Sequence, residues 1–173
     1  MSAATSVSDN KLAMTYAALL LRLWLAVRAI QTGVEKFAGS EISDTAVEID
    51  GQVNDYGLTA ASSAKTYALE NYQGVPPSLM GKFKDEPLLP DQLLSIFDKA
   101  LGPALILLGL TILLGFFYRT SLFLLGLIYI GLTWGLILIK QDEGVSWLAV
   151  HMVLIVLALW TSANNRFGIL KKW

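Results

Sequence analysis

The fold is decided by residues 101–139, where two apolar stretches follow each other. Residues 101–118 read LGPALILLGLTILLGFFY, and residues 121–139 read SLFLLGLIYIGLTWGLILI, separated by a turn that contains Arg119. Neither stretch contains a charged side chain, and each is close to the roughly 20 apolar residues that a helix needs to cross a bilayer. Their apolar residues lie all around the helix, as lipid-exposed or fully buried helices require. Two membrane spans are therefore predicted here.

Two further spans flank this pair, over residues 12–38 and residues 145–162. The whole chain of 173 residues is 54% hydrophobic and 16% charged, whereas soluble domains carry roughly 25% charged residues. The first span is interrupted by Arg22 and Arg28 and lacks a basic segment before it, so it is predicted to be retained and not cleaved as a signal peptide. The sequence therefore predicts an all-α integral membrane protein with a bundle of four transmembrane helices.

Residues 39–100 form a long loop between the first two spans, and we expect this loop to be partly helical. Leu58–Tyr72 is rich in alanine and is predicted to be a short surface helix, which ends before Pro76 and Pro77. A second helix is predicted to start at Asp91 and to lie on the membrane surface before Gly102–Pro103 turns the chain into the second span. Packing of that helix on the loop itself or on a neighbouring subunit is an equal alternative.

The orientation follows from lysine and arginine residues near the span ends, which favour the cytoplasmic side. Acidic residues predominate in the long loop and in the turn at 140–144, whereas the tails and the turn at 118–120 are basic. The basic residues in question are Lys11, Arg119, Arg166, Lys171 and Lys172. The N-terminal tail (1–11) and the C-terminal tail (163–173) are therefore expected in the cytoplasm, and the loop 39–100 outside, in a cytoplasmic (inner) membrane.

The composition excludes several classes of function. The chain has no cysteine and a single histidine, His151, so iron–sulfur clusters, bis-histidine haem and histidine-rich metal sites are excluded within it. A net charge of −1 argues against nucleic-acid binding, which needs a basic surface. If the chain takes part in redox chemistry, it does so as a subunit that relies on a bound organic cofactor or on a partner.

The first span carries polar residues at a depth where they are costly. Arg28 and Glu35 lie about 20° apart around the helix at about 100° per residue, and Gln31 lies about 60° from Arg28 on the same side. Arg22 points about 120° away from Arg28 and lies about 9 Å further from the loop. Charged residues within a span usually face the protein interior or a cavity.

Matching the depths of the spans brings residues from two other helices to the same level. His151 lies about 9 Å from the loop-side end of its span, close to the level of Gln31 and Arg28 on the first. Trp134 and Thr133 reach a similar level. The aromatic ring and the hydrogen-bond donors suit the headgroup of a quinone or a similar lipid-soluble carbonyl compound. The alternatives are that these residues link helices structurally or form a proton or ion path.

Three stretches resemble the DoxX-like family, which includes the DoxD-type subunits. They are RLWLAVRAIQTGVEKF at 22–37, with arginine near the start and Gly-x-x-Lys at its end, GPALILLGLTILLG at 102–115, and the last span, which closes with NRFG at 165–168. The resemblance covers the four spans and not the loop. It implies a four-helix membrane bundle in a quinone-linked assembly, as in the DoxD-type part of thiosulfate:quinone oxidoreductase. The long acidic loop departs from the smaller family members.

The function expected from these observations is that of a membrane subunit in a larger respiratory or energy-converting complex. The chain would anchor the complex in the lipid and border a quinone site, with Arg28, Gln31, Glu35, Trp134 and His151 as the candidate binding residues. Other subunits would dock through the loop 39–100. The alternatives are a purely structural or assembly subunit that binds no ligand and, less favoured, a small carrier.

Overall fold

The structure, a computed structural model, describes residues 2–165, with side chains placed for residues 10–48, 50–52 and 54–165. Within this range the helices are α1 (Ser2–Glu35), α2 (Pro77–Lys84), α3 (Asp91–Leu114), α4 (Tyr118–Leu138) and α5 (Asp142–Trp160). The strands are β1 (Ala38–Ala46), β2 (Glu48–Ile49), β3 (Gln52–Val53) and β4 (Thr59–Tyr67). Short 3₁₀ turns follow β4 at Leu69–Asn71 and α5 at Thr161–Asn164.

Four helices in the described part of the chain are long and apolar enough to cross a membrane. They contain the spans Asn10–Glu35, Asp91–Leu114, Tyr118–Leu138 and Asp142–Asn164. The prediction of a multi-pass membrane protein with four spans is confirmed. The end of the bundle that carries residues 36–90 is called the loop end below, and the opposite end the terminal end.

The structure bears differently on the two predicted tails. Helix α1 begins at Ser2, so it includes most of the segment predicted as an N-terminal tail. Of the predicted C-terminal tail, residues 166–173 lie outside the described residues. Arg166, Lys171 and Lys172, which the predicted orientation uses, are among them.

The four long helices surround one apolar core. Helix α1 packs against α3 and α5, and α4 packs against the same two helices. Side chains that are fully buried in this core come from all four helices: Leu25, Leu105, Ile112, Leu122, Leu125 and Ile155. Helices α1 and α3 approach most closely at glycines. A Cβ added to Gly33 would lie 2.9 Å from the carbonyl oxygen of Gly102, and one added to Gly109 would lie 2.9 Å from the backbone nitrogen of Ile30.

Part of the loop is a β-hairpin, so the predicted helix over Leu58–Tyr72 is wrong. Strands β1 and β4 pair antiparallel from Ala38 opposite Tyr67 to Ala46 opposite Thr59. Strands β2 and β3 continue the hairpin to a turn at Asp50-Gly51, where both residues have positive φ (53° and 80°). An Asp-Gly pair is the usual turn of a two-residue hairpin loop, and this signal outweighs the alanine content of the following strand.

The chain does not turn at Gly102–Pro103, because α3 continues without a break from Asp91 to Leu114. The predicted surface helix and the second span are therefore one helix. Pro103 has no N–H group to donate to the carbonyl oxygen of Lys99, four residues earlier. The hydroxyl of Tyr72 lies 3.0 Å from that oxygen and 2.6 Å from the carbonyl oxygen of Asp98, and it accepts from the N–H of Gly102 at 3.1 Å.

Helix α2 covers the loop end of the bundle. It begins after Pro76, with Pro77 at its first position, where a missing N–H costs nothing. Its buried residue Phe83 packs with Val75 and Leu94, and this cluster extends to Leu136 at the end of α4. Its lysines lie in the last turn. The segment between the hairpin and α3 is thus held against the helix ends.

Candidate functional site

A cavity of about 740 Å³ lies at the loop end of the bundle. All four long helices contribute to its lining, and α2 closes it with Leu79 and Phe83. Most lining residues are aliphatic or aromatic, and few carry polar side chains. The polar or titratable lining side chains are Arg28, Thr32, Lys36, Tyr129, Trp134, Trp147 and His151. This volume and this mixture are typical of a site for a small, largely apolar ligand.

Helix α1 presents a polar face to the cavity, but it differs from the predicted one. Arg28, Thr32 and Lys36 are spaced by four residues and line the cavity together, as side chains on one helical face do. Gln31 is exposed and is not part of the lining, although its Oε1 accepts from Nη1 of Arg28 at 3.0 Å. Gln31 therefore positions the guanidinium from outside the cavity.

Glu35 is directed toward the hairpin and does not line the cavity. Its carboxylate accepts from Nζ of Lys65 at 2.5 Å and from the hydroxyl of Tyr67 at 3.0 Å. Lys65 and Tyr67 both lie at the C-terminal end of β4. The carboxylate thus connects the end of α1 to the hairpin and is not the partner of Arg28. The hydrogen bond to Glu35 raises the pKa of Lys65 above its ordinary value.

Arg28 therefore lines the cavity without a carboxylate in contact. Among the residues whose side chains the structure describes, one ion pair is found, between Glu35 and Lys65. No aspartate or glutamate belongs to the described lining of the cavity. Lys36 lies at its loop-side edge, where burial lowers the pKa of its ammonium group and the charge of Asp98 opposes that effect. The polar part of the cavity is thus cationic.

His151 is 8% exposed and lies across the cavity on α5. Its Nδ1 lies 2.8 Å from the carbonyl oxygen of Trp147, one turn earlier. Because a carbonyl oxygen can only accept, Nδ1 carries a proton, and in the uncharged tautomer with that N–H, Nε2 is an acceptor. Nε2 has no hydrogen-bond partner among the described residues. It is available to a ligand in the cavity.

Tyr129 is a site residue that the sequence analysis missed. It is 5% exposed, and its ring meets the ring of His151 edge-on with centroids 5.8 Å apart. Its hydroxyl forms no hydrogen bond within the described part of the chain, and it is close enough to Arg28 for an electrostatic interaction. The signal that could have found it is its polar group, since Tyr129 lies one turn before Thr133 on the helix used for the depth matching.

Trp134 lines the cavity from its outer edge. Its side chain is 57% exposed, and that of Trp147, on the neighbouring helix, is 62% exposed. Gly131 and Gly135 also line the cavity, and added Cβ atoms would lie 3.6 and 3.3 Å from the rings of Phe97 and Phe83. These glycines leave space in the cavity rather than bringing two helix backbones together. The tryptophans lie where the cavity meets the lipid-facing surface of α4 and α5.

Arg22 lies at the terminal end and has a structural role. It is 4% exposed. Its Nε donates to the carbonyl oxygen of Ile112 at 2.9 Å, Nη2 to that of Leu113 at 2.5 Å, and Nη1 to Oδ1 of Asn165 at 3.0 Å. The last carbonyls of a helix lack intrahelical donors and carry partial negative charge. Arg22 therefore caps α3 and connects it to α1 and to the segment after α5.

The structure thus brings three of the predicted residues, Arg28, Trp134 and His151, to one cavity. Gln31 contacts Arg28 from outside, and Glu35 belongs to the hairpin contact. Among the described residues there is no group of three or more histidine, aspartate or glutamate side chains that could hold a metal ion. No family model, curated protein or solved structure matches this chain.

Proposed function

We propose that the chain is a membrane subunit of a larger quinone-linked complex and that it binds a quinone in the cavity at the loop end. The observation that carries the proposal is the convergence of Arg28, Tyr129 and His151 on an apolar cavity of about 740 Å³. Such a cavity suits a ligand with a flat polar ring and an apolar tail. The resemblance of the spans to the DoxX-like family supports the same assignment.

Arg28 is the strongest reason to prefer a ligand site over a purely structural role. A charged residue in a span is costly and usually pairs with an opposite charge or with backbone carbonyl oxygens. Arg22 has such partners, because it donates to two backbone carbonyl oxygens and to the side-chain oxygen of Asn165. Arg28 instead donates to Gln31 and lines a cavity. A ligand carbonyl would accept a further hydrogen bond from this guanidinium.

A small carrier is the less favoured alternative. A carrier needs a polar path between the two ends of the bundle, or a way to open one. Fully buried apolar residues such as Leu25, Leu122 and Ile155 fill the bundle on the side of the cavity away from the loop. The cavity therefore supports binding at one end and offers no polar route to the other.

The hairpin supports the proposal that the chain docks a partner. Strands of nine residues are about 30 Å long, and both faces of β1 and β4 are largely exposed. Between Phe37 and Lys65 the sequence has acidic residues and no lysine or arginine: Glu41, Asp44, Glu48, Asp50 and Asp55. We propose that a subunit with a basic surface docks here, on the outer side of a cytoplasmic membrane, with both tails in the cytoplasm.

A binding titration tests the quinone proposal. Purified protein in lipid nanodiscs is titrated with an alkyl-1,4-benzoquinone, and binding is followed by quenching of tryptophan fluorescence, since Trp134 and Trp147 line the cavity. Arg28→Leu is expected to weaken binding about tenfold, because it removes one net hydrogen bond to the carbonyl. Gly131→Leu fills the cavity and is expected to abolish binding.

Two control variants match these changes. Arg119→Leu removes an exposed arginine at the terminal end, and Ala149→Leu places a leucine side chain at an exposed position of α5. Both are expected to bind the quinone normally. Normal binding by Gly131→Leu would contradict the site. In the native complex, Arg28→Leu is expected to lose turnover while the subunits still co-purify. Loss of assembly with normal activity in the remaining complex would favour the structural alternative.

A further inference from the structure

The hydrogen-bonding capacities of the polar groups around the cavity are not alike. Arg28 is a donor only, and the Tyr129 hydroxyl can donate or accept. Nδ1 of His151 donates to the carbonyl oxygen of Trp147 at 2.8 Å, and in the uncharged tautomer with that N–H, Nε2 is an acceptor only. A ligand that satisfies all three groups must present at least one acceptor and at least one donor.

The oxidised and reduced forms of a quinone differ in this respect. The two carbonyl oxygens of a quinone are acceptors, so they can receive hydrogen bonds from Arg28 and Tyr129 but not from the unprotonated Nε2. A carbonyl oxygen opposite Nε2 places two lone pairs against each other and leaves this acceptor unpaired in an apolar cavity, which is unfavourable. A hydroquinone has two hydroxyl groups, each of which donates and accepts, so it satisfies Nε2 and the donors together.

We infer that the cavity binds the reduced, hydroxyl-bearing form of its ligand in preference to the oxidised form, and that Nε2 of His151 is the acceptor that selects it. This inference rests on the proposed quinone site and specifies which redox state of the ligand the site holds. The apolar lining increases the selection, because an unpaired polar atom costs more among apolar side chains than it does in water. The edge-on Tyr129 ring, 5.8 Å from the His151 ring between centroids, packs against the imidazole.

The test compares three ligands with the same ring and the same tail on the wild-type protein. Under anaerobic conditions, nanodiscs are titrated with an alkyl-1,4-benzoquinone, with the hydroquinone obtained from it by reduction, and with the dimethyl ether of that hydroquinone. The ether keeps the ring and the tail but cannot donate. We expect the hydroquinone to bind about tenfold more tightly than the quinone, which corresponds to one net hydrogen bond. The ether is expected to bind no more tightly than the quinone.

The His151→Phe variant tests the selecting atom and retains a flat ring. It is expected to reduce hydroquinone affinity to about that of the quinone and to change quinone affinity little, whereas Arg119→Leu keeps the preference. Equal affinities for quinone and hydroquinone in the wild type would overturn this inference and leave the proposed site intact. Equal affinities for hydroquinone and its ether would do the same. If none of the three ligands binds, the proposed function fails and this inference fails with it.

Discussion

The hydroxyl of Tyr72 lies 3.0 Å from the carbonyl oxygen of Lys99, the oxygen to which Pro103 cannot donate. The same hydroxyl contacts Asp98 and Gly102. A side chain from the loop therefore stabilises α3 at the point where proline would otherwise leave a carbonyl oxygen without a donor. This contact lies where α3 continues without a break past Pro103.

Removing this hydroxyl is expected to weaken the loop end. The Tyr72→Phe variant keeps the ring contact with Phe37, whose centroid lies 4.8 Å away, but leaves the Lys99 carbonyl unpaired. We expect a loss of about 1–2 kcal/mol in the free energy of unfolding, measured by denaturant titration in detergent micelles. The matched control is Tyr56→Phe, because Tyr56 lies between β3 and β4 and is 83% exposed. Equal losses in the two variants would contradict the role of the Tyr72 hydroxyl.

Removing the Arg22 side chain is expected to lower the unfolding free energy more than removing the Tyr72 hydroxyl does. The Arg22→Leu variant removes the donors to the carbonyl oxygens of Ile112 and Leu113, of which that of Ile112 keeps the N–H of Gly115 at 3.2 Å. Because hydrogen bonds to a charged group contribute more than neutral ones, we expect a loss of about 3 kcal/mol in unfolding free energy. Quinone binding by the protein that remains folded should be unchanged, since Arg22 does not line the cavity.

The control for this variant is another arginine at the same end. Arg119 is exposed, and its Nε donates to the hydroxyl of Ser162 at 3.0 Å. Arg119→Leu is expected to change the unfolding free energy by less than about 1 kcal/mol, because exposed polar contacts contribute little. The same denaturant titration measures both variants. A loss as large for Arg119→Leu as for Arg22→Leu would show that burial of the Arg22 contacts has no special weight.

The contact between Glu35 and Lys65 predicts a pH dependence in the hairpin. The hydrogen bond to Glu35 raises the pKa of Lys65 above its ordinary value of 10.5. A raised lysine pKa in the folded state means that the contact stabilises the hairpin fully below pH 10.5 and that the stabilisation is lost as the pH rises through the raised pKa. The titration of the Lys65 side chain, followed by NMR, measures this directly.

Two substitutions distinguish the effect of Glu35 on the pKa of Lys65 from the effect of the other acidic residues in the loop. Glu35→Gln is expected to bring the pKa of Lys65 down toward 10.5, because the carboxylate that holds the ammonium is gone. Glu41→Gln removes a carboxylate from β1 that forms no ion pair with Lys65 in the described residues and is expected to leave that pKa nearly unchanged. An unchanged pKa in Glu35→Gln would mean that α1 and the hairpin are not joined in this way.

The sequence predicted the membrane part of the fold well and the loop poorly, for physical reasons. A span must be long and apolar whatever it packs against. Residues 101–118 and 121–139 can therefore be recognised as spans from their length and composition alone. The loop has no such constraint. Its strand β4 contains several alanines and becomes a strand because it pairs with residues 38–46, which is a non-local interaction. The Asp50-Gly51 turn was the local signal for that pairing.

For the candidate site, the depth of the residues could be predicted from the sequence, but the directions of their side chains could not. Depth along a helix follows from counting residues, and this brought Arg28 and His151 to one level. The direction of a side chain around the helix depends on its neighbours, and angles alone grouped Arg28 with Gln31 and Glu35. In the structure, Glu35 is drawn to Lys65 on the hairpin, a residue whose position the sequence could not give. The hydrogen-bonding state of His151 likewise depends on a backbone oxygen.

The closest approach of two helices leads to the last prediction. A Cβ on Gly109 would lie 2.6 Å from Cγ1 of Ile30 and 2.9 Å from its backbone nitrogen, and backbone cannot move aside as a flexible side chain can. Gly109→Ala is therefore expected to separate α1 from α3 and to lower the unfolding free energy by about 1–3 kcal/mol, measured by denaturant titration. At Gly126 an added Cβ has its nearest neighbours at 3.8 and 3.9 Å, so Gly126→Ala is the matched control and should be tolerated.

Because Arg28 and Lys36 reach the cavity from α1, Gly109→Ala should also weaken quinone binding, whereas Gly126→Ala should not. An unchanged unfolding free energy in Gly109→Ala would contradict a close approach of α1 and α3 at this glycine.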